Sequence, residues 1–383
     1  MATNSDDFLF GSQGSDSIAG LNGADTIYGL GSPDSLSGNA QDDTLIGGSG
    51  GDGLDGGTGD DHLEGQDGND TLVGGDNDDT LIGGGENDNL IGNTGFDHMS
   101  GGGEDDSFTW TNGDGNDVDD GGSGQDFLTI TGAELDGDIF SLNPNDANTA
   151  SVFQRENLIP FNIQISNIET INIFGLGGSD FLEVGNLAGI GITGLVFDGG
   201  NGSDTLDTTA NQGVDILAFG GDGADFFYGG TGNEEYQGEA GGDHFFSGAG
   251  DDIVNAGEGN DQIFTGSGND NVNAGADNDT IVTGPGGDTI ITGTGSDDIR
   301  YDLSPVAGGI DMLEDFQNFV DDLFLGGITQ VQLDTNSDNV INDADDMAAY
   351  DAVTDTLSLT FNATDQLNLL GVSSLSVGDI TFV

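Results

Sequence analysis

The sequence predicts an all-β fold in which short parallel strands stack as a solenoid, and three features of the chain indicate it. Asp recurs every nine residues, an apolar side chain follows two residues after each Asp, and glycines cluster before it. Closely spaced glycines allow tight turns, and the segment after the Asp is long enough only for a short strand. A fixed period of this kind is typical of solenoids. We therefore expect one turn-and-strand unit to be repeated along much of the chain.

The first array occupies residues 1–126. Its aspartates follow one unbroken register: Asp7, Asp16, Asp25, Asp34, Asp43, Asp52, Asp61, Asp70, Asp79, Asp88, Asp97 and Asp106. The apolar residues two positions later are Leu9, Ile18, Ile27, Leu36, Leu45, Leu54, Leu63, Leu72, Leu81, Leu90, Met99 and Phe108. At the end of this array Asp119 stands at a position where the repeat otherwise has an apolar residue, which predicts a local distortion of the solenoid.

A nine-residue unit is half a coil, because 18 residues return the chain to the same side. The apolar residues then lie between two parallel sheets, and aspartates such as Asp43 and Asp61 lie one coil apart, at about the 4.8 Å spacing of neighbouring strands. Two charges about 5 Å apart repel by roughly 3 kcal/mol at an effective dielectric near 20. A divalent cation held by carboxylates and by the carbonyls of the glycine turns would reverse this repulsion.

An intervening segment follows at residues 127–198. Runs of alternating polarity at 161–165, 171–173 and 195–197 predict strands. Isolated repeat-like turns at 175–180 and 199–204 favour a solenoid with longer rungs, while an independently folded β domain stays open. Arg155 lies here and is interpreted as the partner of an acidic group.

The second array occupies residues 199–302. It has a repeat-like turn ending at Asp204, and its register comprises Asp225, Glu234, Asp243, Asp252, Asp261, Asp270, Asp279, Asp288 and Asp297. From Asp252 onward the residue five positions before the Asp is Ser, Ala or Thr instead of Gly. We expect a slightly altered turn with the same period.

The last region, residues 303–383, is predicted to be β-rich and carries a second calcium signal. Residues 334–345 match the D-x-[DN]-x-[DN] loop, which supplies oxygen ligands at alternate positions and resembles an EF-hand or dockerin-type loop. The ligands expected there are Asp334, Asn336, Asp338 and Asp345. An ordinary turn rich in Asp and Asn is the alternative.

Calcium is the predicted cofactor, in multiple sites, because oxygen ligands with few histidines and no cysteines select calcium over zinc or copper. The arrays contribute as predicted metal ligands Asp16, Asp25, Asp34, Asp43, Asp52, Asp61, Asp70, Asp79, Asp88, Asp97, Asp106, Asp204, Asp225, Asp243, Asp252, Asp261, Asp270, Asp279, Asp288 and Asp297.

The nonapeptide G-G-x-G-x-D-x-U-x, where U is apolar, stands at residues 47–55, 56–64 and 199–207 and resembles the RTX, or haemolysin-type, calcium-binding repeat. The resemblance implies a right-handed parallel β-roll with calcium in the turns, exported unfolded by type I secretion and folded by external calcium. The hydrophobic C-terminal ending is similar to the uncleaved signals of that pathway. Weaker sites are expected where other residues replace glycines, at Asn39, Gln66, Asn93, Glu239, Glu86, Glu104 and Asp277.

Composition excludes several functions. Two Arg, no Lys and 71 Asp or Glu give a formal charge of -69, which repels nucleic acid and anionic lipid headgroups. The absence of Cys excludes disulfides and thiol chemistry. No stretch resembles a conventional secretory peptide or a transmembrane helix. Because the RTX resemblance implies type I export, the predicted location is extracellular, secreted or associated with the cell surface.

No catalytic constellation emerges. His62, His98 and His244 are the only histidines, and none belongs to an H-E-x-x-H motif. We predict a non-enzymatic structural protein of the cell surface or extracellular matrix, which self-associates or binds a surface polymer. The first coil, near Asp7, leaves little sequence for a cap and predicts head-to-tail association into filaments or layers. A calcium-dependent adhesin that binds glycans is the alternative, and a calcium-dependent polysaccharide lyase is a further one.

Overall fold

The structure is a computed structural model that describes residues 2–134, 137–144, 151–155, 161–302, 309–317, 321–326, 340–341, 348–351, 356–360, 365–370, 372, 375–376 and 380–382. Every regular element in these ranges is a β-strand. The predicted all-β fold is therefore confirmed, including the β-rich intervening and C-terminal regions. Within the described residues, no helix is long and apolar enough to cross a bilayer.

Contacts divide the chain into two compact units. Unit 1 comprises residues 1–176 and 182–196, and unit 2 comprises residues 177–181 and 197–383. The strands of unit 1 are β1 Phe8–Phe10, β2 Ser17–Asn22, β3 Thr26–Gly31, β4 Ser35–Ala40, β5 Thr44–Ser49, β6 Gly53–Thr58, β7 His62–Asp67, β8 Thr71–Asp76, β9 Thr80–Gly85, β10 Asn89–Thr94, β11 His98–Gly103, β12 Ser107–Thr111, β13 Val118–Ser123, β14 Phe127–Thr131, β15 Ile139–Pro144, β16 Ser151–Arg155, β17 Phe161–Ser166 and β18 Thr170–Phe174.

Two strands extend across the boundary between the units, β19 Phe181–Val184 and β20 Gly194–Asn201. The strands of unit 2 are β21 Thr205–Asp207, β22 Asp215–Asp222, β23 Phe226–Tyr228, β24 Glu234–Ala240, β25 His244–Phe246, β26 Ile253–Glu258, β27 Gln262–Phe264, β28 Asn271–Ala276, β29 Thr280–Thr283, β30 Thr289–Ile291, β31 Asp298–Asp302, β32 Gly309–Leu313, β33 Asp322–Gly326, β34 Val340–Ile341, β35 Ala348–Asp351, β36 Thr356–Thr360, β37 Asp365–Leu370, β38 Leu375–Ser376 and β39 Ile380–Phe382.

Unit 1 is built from two parallel sheets whose strands alternate along the chain. Odd-numbered strands pair with one another from β1 to β13, and even-numbered strands pair from β2 to β14. The register is 18 residues per coil, so that Leu45 pairs with Leu63 and Leu54 pairs with Leu72. The predicted β-roll geometry is therefore confirmed.

The core of unit 1 is the apolar column of the repeat. From Ile27 onward its apolar side chains are almost completely buried, and Leu45, Leu63 and Leu81, for example, expose none of their surface, whereas Leu9 and Ile18 are only partly buried. Alternation places the residues on either side of each leucine on the outer face of the sheet, where they are at most partly buried. Each coil therefore contributes two apolar side chains to a core shared with its neighbours.

The structure differs from the sequence prediction at Asp119. We expected the roll to distort, but β13 continues the parallel pairing, with Asp119 opposite Met99 on one side and Ile165 on the other. The Asp119 carboxyl is buried at 1% exposure, and burial raises its pKa well above the ordinary value. A protonated carboxyl occupies the apolar column at much lower cost than a charged one, and the pairing is retained.

The intervening segment in unit 1 is β-rich, as predicted, and contains antiparallel pairs. Strand β16 pairs antiparallel with β15 and with β17, and β17 pairs parallel with β13. Strand β18 continues the other sheet by pairing parallel with β14. The side chain of Arg155, at the end of β16, lies outside the described side chains, so its predicted ion pair stays a prediction.

Unit 2 repeats the two-sheet pattern. Strands β21, β23, β25, β27, β29, β31 and β33 pair in parallel, as do β22, β24, β26, β28, β30 and β32. Toward the C-terminus, β37 pairs parallel with β32 and antiparallel with β36. The core again consists of the apolar column, now with larger side chains such as Phe227, Tyr236 and Phe245.

Candidate calcium-binding turns

The repeat aspartates lie in the turns and are connected from coil to coil by hydrogen bonds. The backbone N–H of Asp43 donates to Oδ1 of Asp61 at 2.7 Å, and the N–H of Asp61 donates to Oδ1 of Asp79 at 2.8 Å. We call each such row an aspartate ladder. In unit 1 the ladders comprise Asp7, Asp25, Asp43, Asp61, Asp79, Asp97 and Asp117, and Asp16, Asp34, Asp52, Asp70, Asp88, Asp106 and Asp126.

Unit 2 carries two further ladders with the same hydrogen bond. One comprises Asp180, Asp204, Asp225, Asp243, Asp261, Asp279, Asp297 and Asp321, and the other comprises Glu234, Asp252, Asp270, Asp288 and Asp311. The donor–acceptor distances in these rows lie between 2.7 and 3.3 Å. The number of residues between successive ladder members varies, but the hydrogen bond that connects them is retained.

The second carboxylate oxygen of most ladder residues has no such partner. In unit 1, Oδ2 is buried without a hydrogen-bond partner among the described residues at Asp25, Asp34, Asp43, Asp52, Asp61, Asp70, Asp79, Asp88, Asp97, Asp106 and Asp126. In unit 2 the same holds at Asp204, Asp225, Asp243, Asp261 and Asp279. Buried polar atoms in folded proteins are ordinarily paired, so a repeated row of unpaired oxygens indicates that a ligand belongs there.

Several of the unpaired oxygens lie beside a backbone carbonyl of the next coil. A methyl group placed on Gly56 would collide with Oδ2 of Asp61 and with the carbonyl oxygen of Gly74. The same pair of contacts recurs at Gly38, which meets Asp43 Oδ2 and the carbonyl of Gly56. A carboxylate oxygen and a carbonyl oxygen from adjacent coils therefore converge on a cradle that only Gly leaves open.

The turns use left-handed backbone at two positions, four and two residues before the Asp. Most of these positions are Gly, for example Gly57 and Gly59 before Asp61, with φ of 110° and 126°. The seven replacements named in the sequence analysis keep positive φ, between 66° and 81°: Asn39, Gln66, Asn93, Glu239, Glu86, Glu104 and Asp277. The turn conformation is thus retained, although a left-handed non-Gly residue costs about 1–2 kcal/mol. Whether these turns bind calcium more weakly stays a prediction.

Burial raises the pKa of the ladder carboxyl groups, so they are weaker acids than an ordinary Asp. Burial raises the pKa of Asp79 and of Asp279 to about 8, with neighbouring ladder aspartates adding a smaller increase. The N–H donated by the preceding coil opposes the increase, as it does at Asp43, whose pKa burial still raises to about 6. Without a cation, two effects therefore disfavour the charged carboxylates: loss of hydration on burial, and repulsion between coils. We expected the repulsion to dominate, but the loss of hydration is the larger effect.

The donor set of these turns fits calcium. Calcium takes six to eight oxygen ligands from carboxylates, carbonyls and water, and the turns offer carboxylate and carbonyl oxygens. Among the described residues, no three His, Asp or Glu side chains converge closely enough to form a metal cluster. Backbone carbonyls must therefore provide much of the coordination, and a carboxylate from the ladder supplies the charge.

The second array modifies this arrangement through its Ser and Thr residues. The hydroxyl of Thr265 donates to Oδ2 of Asp288 at 3.3 Å and accepts the N–H of Gly284 at 2.9 Å. Ser247 and Thr265 expose none of their surface. The altered turn predicted from the sequence is therefore present, and at Asp288 a protein hydroxyl satisfies the oxygen that is unpaired elsewhere.

The structure brings most of the sequence-predicted ligands into the ladders and adds others. Asp16 is only half-buried, and its Oδ2 accepts the backbone N–H of Ser12 at 2.6 Å. The predicted EF-hand-like ligands Asp334, Asn336, Asp338 and Asp345 lie outside the described residues. Ladder residues that were not among the predicted metal ligands include Asp117, Asp126, Asp180, Asp311, Asp321 and Glu234, although Glu234 belongs to the predicted register.

A simpler signal could have found four of the missed residues. Asp126, Asp180, Asp311 and Asp321 are each followed two positions later by a buried leucine, although inserted residues interrupt the period. The three histidines, in contrast, are the first residues of β7, β11 and β25 on the outer face and are at least partly exposed. Each of these histidines directly follows a repeat Asp.

A single methyl group should close one cradle. We expect Gly56→Ala to displace Asp61 Oδ2 or the carbonyl of Gly74, to lower the calcium stoichiometry by one, and to destabilise the calcium-bound fold by about 1–3 kcal/mol, the usual cost of overpacking. The matched control is Gly53→Ala, because a Cβ on Gly53 meets only the carbonyl oxygen of Asp34 at 4.0 Å. Calorimetric titration and denaturant unfolding would measure both; unchanged stoichiometry and stability in the Gly56 variant would contradict the cradle.

Comparisons with known proteins agree with this geometry. The RTX calcium-binding nonapeptide repeat matches residues 1–33, 20–54, 55–90, 82–109, 209–233, 228–263, 237–272 and 264–299. These matches together cover just over half of the chain and fall on part of each of the four ladders in the described residues. RTX nonapeptide repeats bind calcium.

Among solved structures, the extracellular lipase LipA from Serratia marcescens is similar at 16% sequence identity, over 86% of this chain and 41% of the lipase, with a TM-score of 0.15. The chain therefore spans less than half of the lipase's length, and the TM-score is too low for the likeness to carry an argument. The comparison with curated proteins finds no match. Since the repeat covers more than half of the sequence and the structure stacks its aspartates in register, the chain belongs to the RTX calcium-binding nonapeptide repeat family.

Proposed function

We propose that the chain is an extracellular structural protein that binds calcium through its aspartate ladders, folds when it meets calcium after secretion, and assembles at the cell surface or in the extracellular matrix. The observation that carries the proposal is the row of buried, unpaired Oδ2 atoms, which includes Asp43, Asp61 and Asp79. Calcium in these turns would stabilise only the folded state, and folding would therefore depend on the external ion.

The charge of the chain supports export before folding. With a formal charge of -69 and little calcium in the cytosol, the ladder carboxylates repel one another and resist burial. An extended chain of this kind suits passage through a type I secretion machinery. Outside the cell, calcium would neutralise the ladders and the apolar column could close.

The distribution of the repeats supports a structural role. Coils with an aspartate ladder and an apolar column recur through both units, from Asp25 in unit 1 to Asp297 in unit 2. In such a solenoid each coil stabilises its neighbours, and its regular outer surfaces suit lateral or end-to-end contact. Assembly of one copy with another is therefore the expected use of the fold.

Electron microscopy of the purified chain, with calcium and with chelator, tests the assembly. We expect ordered filaments or layers in millimolar calcium and none in chelator. Calcium-loaded protein that stays monodisperse at every concentration would contradict a structural role. Saturable binding on a glycan array by such a monodisperse protein would favour the adhesin, and release of sugars from polysaccharide would favour the lyase.

A further inference from the structure

One outer face of unit 2 combines stacked aromatic rings with an absence of acidic residues. It is formed by the residues that flank the buried central residues of β23, β25, β27 and β29, and we call it the aromatic face: Phe226, Tyr228, His244, Phe246, Gln262, Phe264, Thr280 and Val282. None of these eight residues is acidic, although the chain contains 71 Asp and Glu. In a protein of this charge, an acid-free surface marks a place where another surface can approach.

The rings of this face stack along the solenoid. The Tyr228 and Phe246 rings lie 5.1 Å apart and 3° from parallel, and the Phe246 and Phe264 rings lie 4.8 Å apart and 5° from parallel. In the neighbouring column, Phe226 stacks on His244 at 4.6 Å and 1°. Because the ring faces cover one another, the aromatic face presents ring edges outward.

Opposite charges stand at the two ends of one column. The strand register places Asp207 next to Tyr228 at one end and Arg300 next to Val282 at the other. Arg300 is exposed, with its guanidinium carbon 5.3 Å from the centre of the Phe324 ring. It is one of only two basic residues in the chain. With these two flanking charges the column reads Asp207, Tyr228, Phe246, Phe264, Val282 and Arg300, and the register continues from Arg300 to Phe324.

We propose that the aromatic face binds the same face of a second copy of the chain, related by a two-fold axis along the strand direction. This inference rests on the self-association proposed above and names its surface. The axis reverses the order of the column, so Arg300 faces the partner's Asp207, Val282 faces the partner's Tyr228, and Phe246 faces the partner's Phe264. Both ends then carry an ion pair, and the contact is isologous, so it pairs two copies, and filaments or layers require a further contact between such dimers.

The neighbouring column is compatible with this arrangement. It contains Thr205, Phe226, His244, Gln262, Thr280 and Asp298, in register order. The same axis places Asp298 against the partner's Thr205, and His244 against the partner's Gln262. No carboxylate meets another in either column, which matters because like charges across an interface cost several kcal/mol.

The ring geometry favours a second copy over a polysaccharide. A sugar ring stacks on the exposed face of an aromatic ring, whereas the central ring of this column, Phe246, has Tyr228 on one side and Phe264 on the other. Ring edges instead interdigitate with the side chains of a facing sheet, as in a β-sandwich. Six strands at about 4.8 Å give a face only about 24 Å long, so we expect a weak dimer with a dissociation constant on the order of micromolar.

Sedimentation of the full chain in millimolar calcium tests the dimer. We expect wild type to dimerise, Phe246→Thr to weaken the dimer at least about tenfold, and Ile46→Thr to have no effect. Ile46 is the matched control because it is an outward-facing apolar residue on a strand of unit 1. Circular dichroism in calcium establishes that each variant is folded. A wild-type chain that remains monomeric, or a Phe246 variant that dimerises normally, would overturn the inference.

Charge reversal tests the orientation and does not depend on the aromatic variant. We expect Asp207→Lys and Arg300→Glu each to weaken the dimer several-fold, and the double variant to restore it. A double variant no tighter than the single ones would overturn the proposed axis. The folded Phe246→Thr variant, which should not form the dimer, can also be examined for filaments in calcium. If it still forms them, the aromatic face is not the assembly surface, and the proposed structural function stays intact. Glycan binding that is lost in this variant, with a monomeric wild type, would overturn both.

Discussion

Removal of calcium at about pH 8 should abolish most of the β-sheet signal of this chain. At that pH the ladder carboxylates of the unfolded chain are fully ionised, because an ordinary Asp titrates near 3.9. Folding without a cation would bury rows of these charges, such as Asp61, Asp79 and Asp97, whose Oδ2 atoms have no hydrogen-bond partner. An uncompensated buried carboxylate costs several kcal/mol, and the penalty accumulates along four ladders.

Circular dichroism during a calcium titration would measure this transition. We expect a cooperative return of the β signal as calcium is added after chelation, because each coil supports the next. Magnesium is the control: it requires nearly ideal octahedral geometry and gives up its water reluctantly, so it should restore little of the signal. A complete β signal in excess chelator at this pH would contradict the coupling of calcium to folding.

Acidification in chelator should restore β structure without any metal. Burial raises the folded-state pKa of Asp61 and Asp88 to about 7 and that of Asp79 to about 8. A group whose pKa is higher in the folded state binds protons more tightly there, so folding is favoured at low pH and this contribution is lost as the pH rises through the folded value. The loss should therefore begin near the unfolded value, at about pH 4, and be complete at about pH 8, and at about pH 4 the metal-free chain should be largely folded.

One amide substitution separates this proton effect from general charge reduction. Asp79→Asn resembles a permanently protonated Asp79, so it should move the metal-free transition to higher pH while weakening calcium binding. A lost site costs about 2.7 kcal/mol of calcium-bound stability at a calcium concentration 100-fold above its dissociation constant. Asp55→Asn is the matched control, because Asp55 lies exposed on the outer face of β6. Acid-induced unfolding in chelator, or equal effects of the two variants, would contradict the buried-ladder explanation.

The regular part of the fold followed directly from the sequence. The nine-residue period gave the 18-residue register, which the structure reproduces in pairs such as Leu45 with Leu63. It also placed Asp43, Asp61 and Asp79 one coil apart. Local chemistry suffices here, because glycine turns and an apolar residue every nine positions allow one way of closing a coil that buries the apolar side chains.

The irregular coils were harder to predict. Inserted residues separate Asp97 from Asp117 by 20 positions and Asp288 from Asp311 by 23, yet both pairs form the same hydrogen bond as the regular coils. A fixed period cannot detect such pairs, since the insertion is absorbed in a turn while the strand register is preserved. The persistence of pairing at Asp119 has a related cause: neighbouring coils hold the strand in place, and burial raises the pKa of the carboxyl, which favours its neutral form.

The sequence by itself determined the period, the apolar column, the acidity of the turns and the choice of an oxygen-binding cation, because each depends on residue type and spacing along the chain. Only the tertiary structure decided which carboxylate oxygen is paired and which is left for a ligand, since Asp61 Oδ1 accepts an N–H from the coil before it while Oδ2 lies beside a carbonyl of the coil after it. It also decided that Asp207 and Arg300, 93 positions apart in the sequence, end one aromatic column. Both results depend on the stacking of coils, which brings distant residues together at strand spacing.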